Sequence, residues 1–419
     1  MFSLILYSAK NKQQKTGGHM ISAGIIVEYN PFHNGHLYHL QQTRKKTNAD
    51  VIIAIMSGQF LQRGEPALVS KWTRTKMALK AGVDLVIELP YTFCTQKAEK
   101  FAGGAVYLLT SLQADYICFG SESGNIDTFI NTIKFISNHE SAYNRFIRQF
   151  INEGVSYPKA ASLAFQQLAP TKDLLDLSKP NNILGYHYVK ALQEIGSKTI
   201  PLTIERMQAG YHDQQLSSAK ISSATSIRKS LAENRTLEHI QSHIPDTTYQ
   251  ELSAFYQKYD TFAFWENFWP FLKYRLFHSE PDELRDIYEI EEGMEYRLIR
   301  FAQEATSFKD FMEKIKTKRY TWTRLQRACV HILTNTKKEK MRNKVPEYIR
   351  VLGFNQLGRQ YLKEKKERVS LPIISNLSQA DRKAVQHDIK ISQVYSFAFG
   401  DHGQKIIEEE KKGLPIIVE

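Results

Sequence analysis

The sequence predicts an α/β fold with a parallel sheet in the first half of the chain and a mainly α-helical second half. Between residue 20 and about residue 120, short apolar runs alternate with segments of helical period. Strands that alternate with helices form a parallel sheet with right-handed crossovers. Near residue 235 the pattern changes to helix-period segments, and a later stretch is strongly basic. A chain of 419 residues is long enough for two domains.

Each predicted strand is a short, largely apolar run bounded by Asp, Gly or Pro. The first strand ends at Asn30-Pro31 because proline cannot continue a central ladder. Residues 125–195 are mainly helical in pattern, and residues 199–204 offer a further strand. In chain order, the earlier elements are strand 21–28, helix 37–46, strand 51–56, helix 70–81, strand 85–89, helix 98–111 and strand 116–119.

These patterns give a domain organisation. The apolar patch at residues 1–7 is too short for the core of a signal peptide, so residues 1–19 are expected to be a leader or a cloning extension. Residues 20–235 are predicted to form the α/β domain and residues 236–419 the helical domain. The aromatic-rich span 255–277 is interpreted as a packing stripe rather than a base-stacking platform.

Positive charge is concentrated in one stretch. The chain carries 56 Lys and Arg against 44 Asp and Glu, a net charge of +12. Residues 311–370 contain 17 Lys and Arg and 5 Glu, so this basic stretch accounts for the whole excess. Such an excess favours a polyanionic partner, although charge runs are also typical of solvated helices.

Cysteine usage and hydropathy narrow the class of protein. Cys94, Cys118 and Cys329 have neither zinc-site spacing nor a disulfide pattern, and they are expected to be core thiols in a reducing cytoplasm. No apolar run reaches the ~20 residues that span a bilayer, so no membrane partner is expected. The sequence gives no oligomeric state.

The run His33-Asn34-Gly35-His36 is the most informative motif. It follows the apolar run 23–27 and precedes the helix predicted from residue 37. Two histidines therefore lie where the carboxyl end of a strand meets a helix N-terminus, which is where open α/β sheets bind phosphates. The alternative is a tight turn whose histidines cap the helix or bind a metal.

Other polar residues follow the predicted strands. Ser57-Gly58-Gln59 and Gln62-Arg63-Gly64-Glu65-Pro66 come after the second strand, and Gly120-Ser121-Glu122 comes after the fourth. Arg206 and the pair Asn181-Asn182 are expected at the same edge. Loops at this edge line the ligand crevice of doubly wound sheets, although each is equally explained as an ordinary turn or helix cap.

A hydroxyl-rich segment, Ser222-Ser223-Ala224-Thr225-Ser226, leads into a predicted helix, with Arg228 one turn inside it. Hydroxyls and free N–H groups at a helix N-terminus can hold a phosphate, and an arginine adds a bidentate contact. Taken alone the segment is a plain N-cap. No Gly-x-x-x-x-Gly-Lys-Ser/Thr, Gly-x-Gly-x-x-Gly after the first strand, Gly-x-Ser-x-Gly or Cys-x-x-Cys motif is present.

The histidine motif together with residues 223–228 resembles the nucleotidylyltransferase superfamily, which implies a Rossmann-like domain that binds ATP. More narrowly, residues 24–36, 56–67 and 181–186 resemble the bacterial tRNA(Met) cytidine acetate ligase family. The similarity is weaker in the helical half, where it depends on residues 320–325 and 351–354.

The resemblance implies an ATP-dependent ligase that activates acetate as acetyl-adenylate. It would then acetylate the N4 amine of the wobble cytidine of elongator tRNA(Met), with ATP and Mg²⁺ as cofactors, acetate as co-substrate and no dedicated metal ligand. The residues expected to act in catalysis are His33, His36 and Arg228. Those expected to bind ATP are Ile26, Val27, Glu28, Tyr29, Asn30, Pro31, Phe32, His33, Asn34, Gly35, His36, Leu37, Tyr38, His39, Gly120, Asn181, Arg206, Ser223 and Thr225. Those expected to bind tRNA are Lys318, Arg319, Arg324, Arg327, Lys337 and Lys338.

Two other functions remain open at this point. The protein is alternatively a small-molecule nucleotidylyltransferase, which transfers an adenylyl group from ATP to a metabolite and releases pyrophosphate. It is also conceivable as an RNA-binding protein with a vestigial nucleotide pocket. The basic stretch favours the acetate ligase over the first alternative, and the intact histidine motif disfavours the second.

Overall fold

The computed structural model describes residues 19–168, 170–171, 173–206, 222–234, 236–291, 293–377 and 380–419. The predicted leader, apart from its last residue, lies outside these ranges. The strands are β1 Ser22–Val27, β2 Val51–Ser57, β3 Leu85–Leu89, β4 Tyr116–Ser121, β5 Ile200–Glu205, β6 Ile349–Phe354, β7 Ile373–Ile374 and β8 Ile416–Ile417.

The helices predicted in the first half are present, with boundaries that differ by a few residues, and the short helix α3, Tyr91–Cys94, is additional. Those before residue 235 are α1 Asn34–Thr47, α2 Lys71–Lys80, α3 Tyr91–Cys94, α4 Ala98–Ser111, α5 Ile126–Asn138, α6 Glu140–Asn152, α7 Tyr157–Gln167, α8 Pro180–Ile195 and α9 Ala224–Asn234. Those after it are α10 Asp246–Tyr259, α11 Trp265–His278, α12 Pro281–Arg285, α13 Met294–Glu304, α14 Phe308–Ile315, α15 Trp322–Leu333, α16 Gln356–Lys365, α17 Arg382–Tyr395 and α18 Gly403–Lys412.

The strands of the described residues form one sheet in the order β5-β4-β1-β2-β3-β6-β7, with β8 also on β6. The pairs β1–β2, β1–β4, β2–β3 and β4–β5 are parallel, as the alternating pattern predicts. The chain builds β2 and β3 on one side of β1 and then β4 and β5 on the other. The order of strands therefore reverses between β1 and β4, which is where sheets of this type bind ligands.

Both faces of the central sheet are covered by helices, and the pleat divides the core in two. Ile52, Ala54 and Met56 of β2 pack on one face, while Val51, Ile53 and Ile55 pack on the other. Burial on both faces explains why the strand reads as one apolar run instead of an alternation.

The second half is mainly α-helical, as predicted, but it also supplies three strands that the pattern did not reveal. β6 pairs antiparallel with β3 and carries β7 and β8, so the last part of the chain extends the sheet of the first part. The predicted division at residue 235 stays a prediction. In the span 255–277, Trp265, Phe268 and Trp269 are buried, which confirms packing for the inner face of α11.

A buried ionic cluster holds this extension in place. The Lys71 ammonium lies 2.8 Å from Glu88 and 3.1 Å from Glu410, and the Arg350 guanidinium lies 3.1 Å from Glu88 and 2.7 Å from Glu410. Burial alone would raise the pKa of Glu410, but Arg350 and Lys71 lower it to about 2. The four side chains join α2, β3, β6 and α18, so the cluster ties the end of the chain to the sheet.

We expect Glu410→Ala to lower the free energy of unfolding by about 3–5 kcal/mol, because it leaves two buried cations facing a single carboxylate. The control is Glu409→Ala on the same helix, whose partly exposed pair with Lys258 should cost no more than about 1 kcal/mol. Urea unfolding at neutral pH measures both variants. Equal losses would contradict the role given to the buried cluster.

Candidate nucleotide-binding and active site

The two motif histidines form the N-terminal cap of α1. The Gly35 backbone N–H donates to His33 Nδ1 at 3.0 Å, and the His33 N–H donates to His36 Nδ1 at 3.3 Å. The two rings stack with centroids 3.8 Å apart. This cap starts the helix at Asn34, three residues before the predicted start. The capping alternative and the ligand-binding interpretation are therefore compatible. Each histidine makes its cap through Nδ1, and the Nε2 atom takes no part in the cap.

The caps fix the chemistry of the rings. Since each Nδ1 accepts a hydrogen bond, a neutral ring carries its proton on Nε2. Burial, aided by Arg206 and Arg228, lowers the pKa of His33 to about 3, and burial with His33 and Arg206 nearby holds the pKa of His36 well below its usual value. In the part of the chain that the structure describes, neither Nε2 has a protein hydrogen-bond partner. The motif thus presents two neutral N–H donors side by side.

A second group of predicted residues meets across the switch point. Arg206 Nη1 donates to Asn181 Oδ1 at 3.4 Å, and the side chain of Arg206 passes over Gly120. A Cβ on Gly120 would lie 3.3 Å from Arg206 Cγ and 4.0 Å from His39 Cδ2. The structure therefore brings Gly120, Asn181, Arg206 and His39 together at the edge where His33 and His36 lie. His39 Nε2 is buried and has no hydrogen-bond partner among the residues that the structure describes, and burial lowers the pKa of His39 to about 4.

Glu122 positions Asn181, a contact that the sequence analysis did not identify. Its carboxylate accepts from Asn181 Nδ2 at 2.7 Å and from the Asn182 N–H at 2.8 Å, while Asn182 Oδ1 accepts from the Glu122 and Ser123 N–H groups. An acidic residue next to β4 and a helix starting at Pro180 were visible in the sequence, but their reciprocal pairing depends on tertiary structure.

Several residues of the predicted ATP segment have buried side chains. Tyr29 and Phe32 are about 1% and 0% exposed and pack edge to face at 4.6 Å, with the His36 ring resting on both. Asn34 Nδ2 donates to the Ser242 carbonyl at 3.0 Å. The side chains of Tyr29 and Phe32 therefore support the histidine rings. These two residues can contact ATP only through their backbone atoms.

The hydroxyl-rich segment lies against the same loop. Ser223 caps α9 by accepting from the Ser226 N–H at 3.1 Å, whereas Thr225 is exposed. Arg228 Nη1 donates to the Asn30 carbonyl at 2.9 Å, and its Nη2 pairs with the Glu65 carboxylate. Glu65, in the loop of residues 59–66, thus helps to hold Arg228 beside the histidine motif. The predicted phosphate role requires this position.

Arg74 was missed by the sequence analysis and organises this edge. Its guanidinium is fully buried and donates to the carbonyls of Glu28 at 2.7 Å, Ser57 at 2.9 Å and Val69 at 3.3 Å, and also to that of Gly58. These carbonyls belong to the ends of β1 and β2 and the loops after them. No sequence signal distinguishes Arg74 from an ordinary helical arginine.

The loop of residues 59–66 joins the site to the helical half. The Gln62 N–H donates to Glu28 Oε1 at 2.8 Å on one side, and on the other Gln326 Nε2 donates to the Arg63 carbonyl at 3.3 Å. Gly64 has φ of +80°, and a Cβ there would lie 2.5 Å from the Arg327 backbone nitrogen. Glycine is required because α15 passes directly against the loop.

The residues predicted to bind tRNA have different environments. Lys318 and Arg319, between α14 and α15, are exposed, as are Lys337 and Lys338. Arg324 is partly buried and pairs with Glu291 at 3.1 Å. The prediction for Arg327 is corrected, because its side chain is 7% exposed and its guanidinium holds the buried Glu289 carboxylate through three contacts of 2.9–3.1 Å.

The sequence of this chain is similar to proteins of known families over nearly its whole length. The family model of the HIGH nucleotidyl transferases matches residues 20–410. The tRNA(Met) cytidine acetate ligase of Geobacillus sp. (strain WCH70) is 49% identical over 403 residues, covering 96% of this chain and 100% of that protein. The protein of the same name from Halalkalibacterium halodurans is 46% identical over 407 residues, covering 96% and 98%.

This chain belongs to the tRNA(Met) cytidine acetate ligase family of HIGH nucleotidyl transferases. Solved structures agree with this membership. The apo crystal structure of Thermotoga maritima TmcAL has a TM-score of 0.88 and 33% identity, and covers 95% of this chain and 100% of that one. The same enzyme bound with alpha-thio ATP has a TM-score of 0.86. Binding of ATP by this member of the family is thereby supported.

The described residues of this acetate ligase family member show neither a metal-binding cluster nor a membrane-spanning helix. Its described residues contain no group of three or more His, Cys, Asp or Glu side chains placed to hold a metal ion. None of the helices found in those residues is both long and apolar enough to cross a bilayer. All three cysteines are free and buried, which confirms that they are core thiols.

The depressed pKa values give a direct test. Because the folded protein holds His33 and His36 neutral, their ring carbon resonances should not titrate between pH 8 and pH 5 in the ligand-free protein. Heteronuclear NMR with histidine-labelled protein measures this, and His33→Ala and His36→Ala assign the signals. A titration step near pH 6.5 in either ring would contradict the neutral donor pair.

Proposed function

We propose that this protein is an ATP-dependent tRNA(Met) cytidine acetate ligase that forms N4-acetylcytidine at the wobble position of elongator tRNA(Met). The observation that carries the proposal is the stacked pair of neutral imidazoles at the switch point of the sheet, in a chain that belongs to this family.

In the first step, an acetate oxygen attacks the α-phosphorus of ATP, a P–O bond forms, and the bond to pyrophosphate breaks. Negative charge grows on the equatorial oxygens and on the leaving group. N–H donors that are already oriented stabilise such charge without reorganisation. His33 and His36 supply two such donors, and Arg228, held at the Asn30 carbonyl and Glu65, supplies the cation for the β- and γ-phosphates.

The adenosine end is assigned to the group around Gly120. Asn181 and Arg206 meet beside Gly120, which has no side chain to block a nucleotide. Mg²⁺ would arrive bound to ATP, with phosphate oxygens and waters as its ligands, as this ion prefers. Acetate and Mg²⁺ are therefore parts of the proposal, as is a cytoplasmic site of action, where ATP and tRNA occur together.

In the second step, the cytidine N4 nitrogen attacks the acetyl carbonyl carbon of acetyl-adenylate. A C–N bond forms, AMP leaves with the electron pair of the broken C–O bond, and the amine loses a proton. The tRNA must then reach the site from the helical half. Lys318, Arg319, Lys337 and Lys338 are exposed cations suited to its phosphates, and the 59–66 loop joins this part of the chain to the ATP residues.

The test is incubation of the protein with ATP, labelled acetate and total tRNA, followed by nucleoside analysis. We expect label in N4-acetylcytidine, and we expect His36→Ala to slow acetate-dependent ATP–pyrophosphate exchange by on the order of 10²-fold or more, while tRNA binding persists. The control His402→Ala removes an exposed histidine and should react like the wild type.

Two results would count against the proposal. Pyrophosphate release that is independent of both acetate and tRNA would favour a small-molecule nucleotidylyltransferase. Full exchange activity in His36→Ala would remove this imidazole from the mechanism even if tRNA became acetylated.

The tRNA contact is tested by the double variant Lys318→Glu/Arg319→Glu. If these side chains neutralise two phosphates, the slope of log affinity against log salt should fall by about 1.4–1.8, and affinity at low salt should drop. Filter binding of tRNA between 50 and 200 mM salt measures the slope.

The matched control is Lys159→Glu/Lys198→Glu, which changes net charge by the same amount at exposed positions outside the basic stretch. An equal loss of slope in both double variants would mean that tRNA affinity depends only on the net charge of the protein. An unchanged slope in the first variant would remove Lys318 and Arg319 from the interface.

A further inference from the structure

The chain has four tryptophans, and they differ sharply in exposure. Trp72, Trp265 and Trp269 are 6–8% exposed and belong to the core, whereas Trp322 is 38% exposed. Trp322 is the first residue of α15, directly after the capping residue Thr321, which accepts from the Arg324 N–H at 3.2 Å. A large aromatic ring is therefore held at the surface by a well-defined helix start.

The indole is oriented by a buried side chain. Trp322 Nε1 donates to Gln326 Oε1 at 2.9 Å, and the other end of the same amide, Nε2, donates to the Arg63 carbonyl at 3.3 Å. Gln326 is 5% exposed. The amide thus fixes the ring on one side and the 59–66 loop on the other.

The same loop contacts Glu28 and Arg228 of the predicted site. Gln62 donates to Glu28 after β1, and Glu65 pairs with Arg228, which in turn holds the Asn30 carbonyl. One loop therefore separates the indole from residues that are assigned to the triphosphate. A base stacked on the ring would lie near the edge where acetyl-adenylate forms.

The surroundings of the ring suit RNA. Lys318 and Arg319 are exposed just before it, and the Arg324 guanidinium lies 5.0 Å over the Tyr320 ring, with its Nη2 paired to Glu291. Proteins bind unpaired RNA by combining cations for the phosphates with aromatic rings on which bases stack.

We propose that Trp322 is the stacking platform for an unpaired base of the tRNA anticodon loop, and that Gln326 is the positioning residue that aims it at the ATP edge. This assignment rests on the proposed function. It adds a specific aromatic contact to the phosphate contacts of the basic stretch, and it gives the loop of residues 59–66 the role of linking the base to the adenylate.

The experiment compares Trp322→Ala and Trp322→Phe in tRNA binding across a salt series. Stacking is worth roughly 5- to 150-fold in affinity per base, and it releases no counterions. Trp322→Ala should therefore weaken binding by that factor at every salt concentration with an unchanged slope, and it should lower acetyl transfer. Trp322→Phe keeps a ring but loses the hydrogen bond to Gln326, so it should recover part of the affinity that Trp322→Ala loses and bind tRNA like Gln326→Met.

A second measurement uses the native fluorescence. Because the other three tryptophans are buried, acrylamide should quench mainly Trp322, and bound tRNA should protect it. Gln326→Met should keep the ring but reduce this protection, since the amide no longer orients it. Trp322→Ala and Trp322→Phe both remove the donor to the buried Gln326 amide, so their unfolding midpoints should fall by similar amounts, and a difference in tRNA affinity between them then reports on the ring.

The assignment is overturned if Trp322→Ala binds and acetylates tRNA like the wild type, or if its loss of affinity comes with a smaller salt slope. It is also overturned if tRNA leaves acrylamide quenching unchanged. If the wild-type protein itself neither binds nor acetylates tRNA, the proposed function fails first, and the assignment falls with it.

Discussion

The fully buried guanidinium of Arg74 is the contact on which the site depends most. It occupies the space between the ends of β1 and β2 and satisfies carbonyls of Glu28, Ser57, Gly58 and Val69. Buried carbonyls without a donor cost about 1–3 kcal/mol each, so these chain ends are stable in their present positions only with the arginine in place. The histidine motif starts five residues after Glu28, so its position depends on where Arg74 holds the end of β1.

From this edge, contacts run outward into the second half of the chain. Glu65 holds Arg228, Gly64 lets α15 approach, and Trp265 Nε1 donates to the Gly64 carbonyl at 3.1 Å. Farther along the sheet, Lys71, Glu88, Arg350 and Glu410 join the final strands and helix to β3. The helical half therefore packs directly against the loops that carry the proposed ATP residues.

Much of the first half was predictable from sequence, because its signals are local. Apolar runs and turn residues fixed the parallel strands, and the spacing of His33 and His36 indicated a phosphate site at a helix start. Gly120, Asn181 and Arg206 were also placed correctly at one edge, because the carboxyl ends of parallel strands share that edge.

The remaining features depend on tertiary contacts that leave no local pattern. β6 is a short apolar run in a helical region, and it becomes a strand because β3 offers it an open edge. Arg74 and Arg327 look like surface cations in the sequence, yet one is buried among carbonyls and the other pairs with Glu289. Charge counting overestimated the cations available to RNA because it ignores such buried partners.

In the proposed first step, two neutral imidazoles hold the triphosphate through their Nε2–H groups. A crystal structure of this protein with a non-hydrolysable ATP analogue tests it most directly. We expect phosphate oxygens within about 3.2 Å of both His33 Nε2 and His36 Nε2, with both Nδ1 atoms still capping α1. Phosphates bound elsewhere along the sheet edge, with the two Nε2 atoms facing solvent or protein, would contradict it.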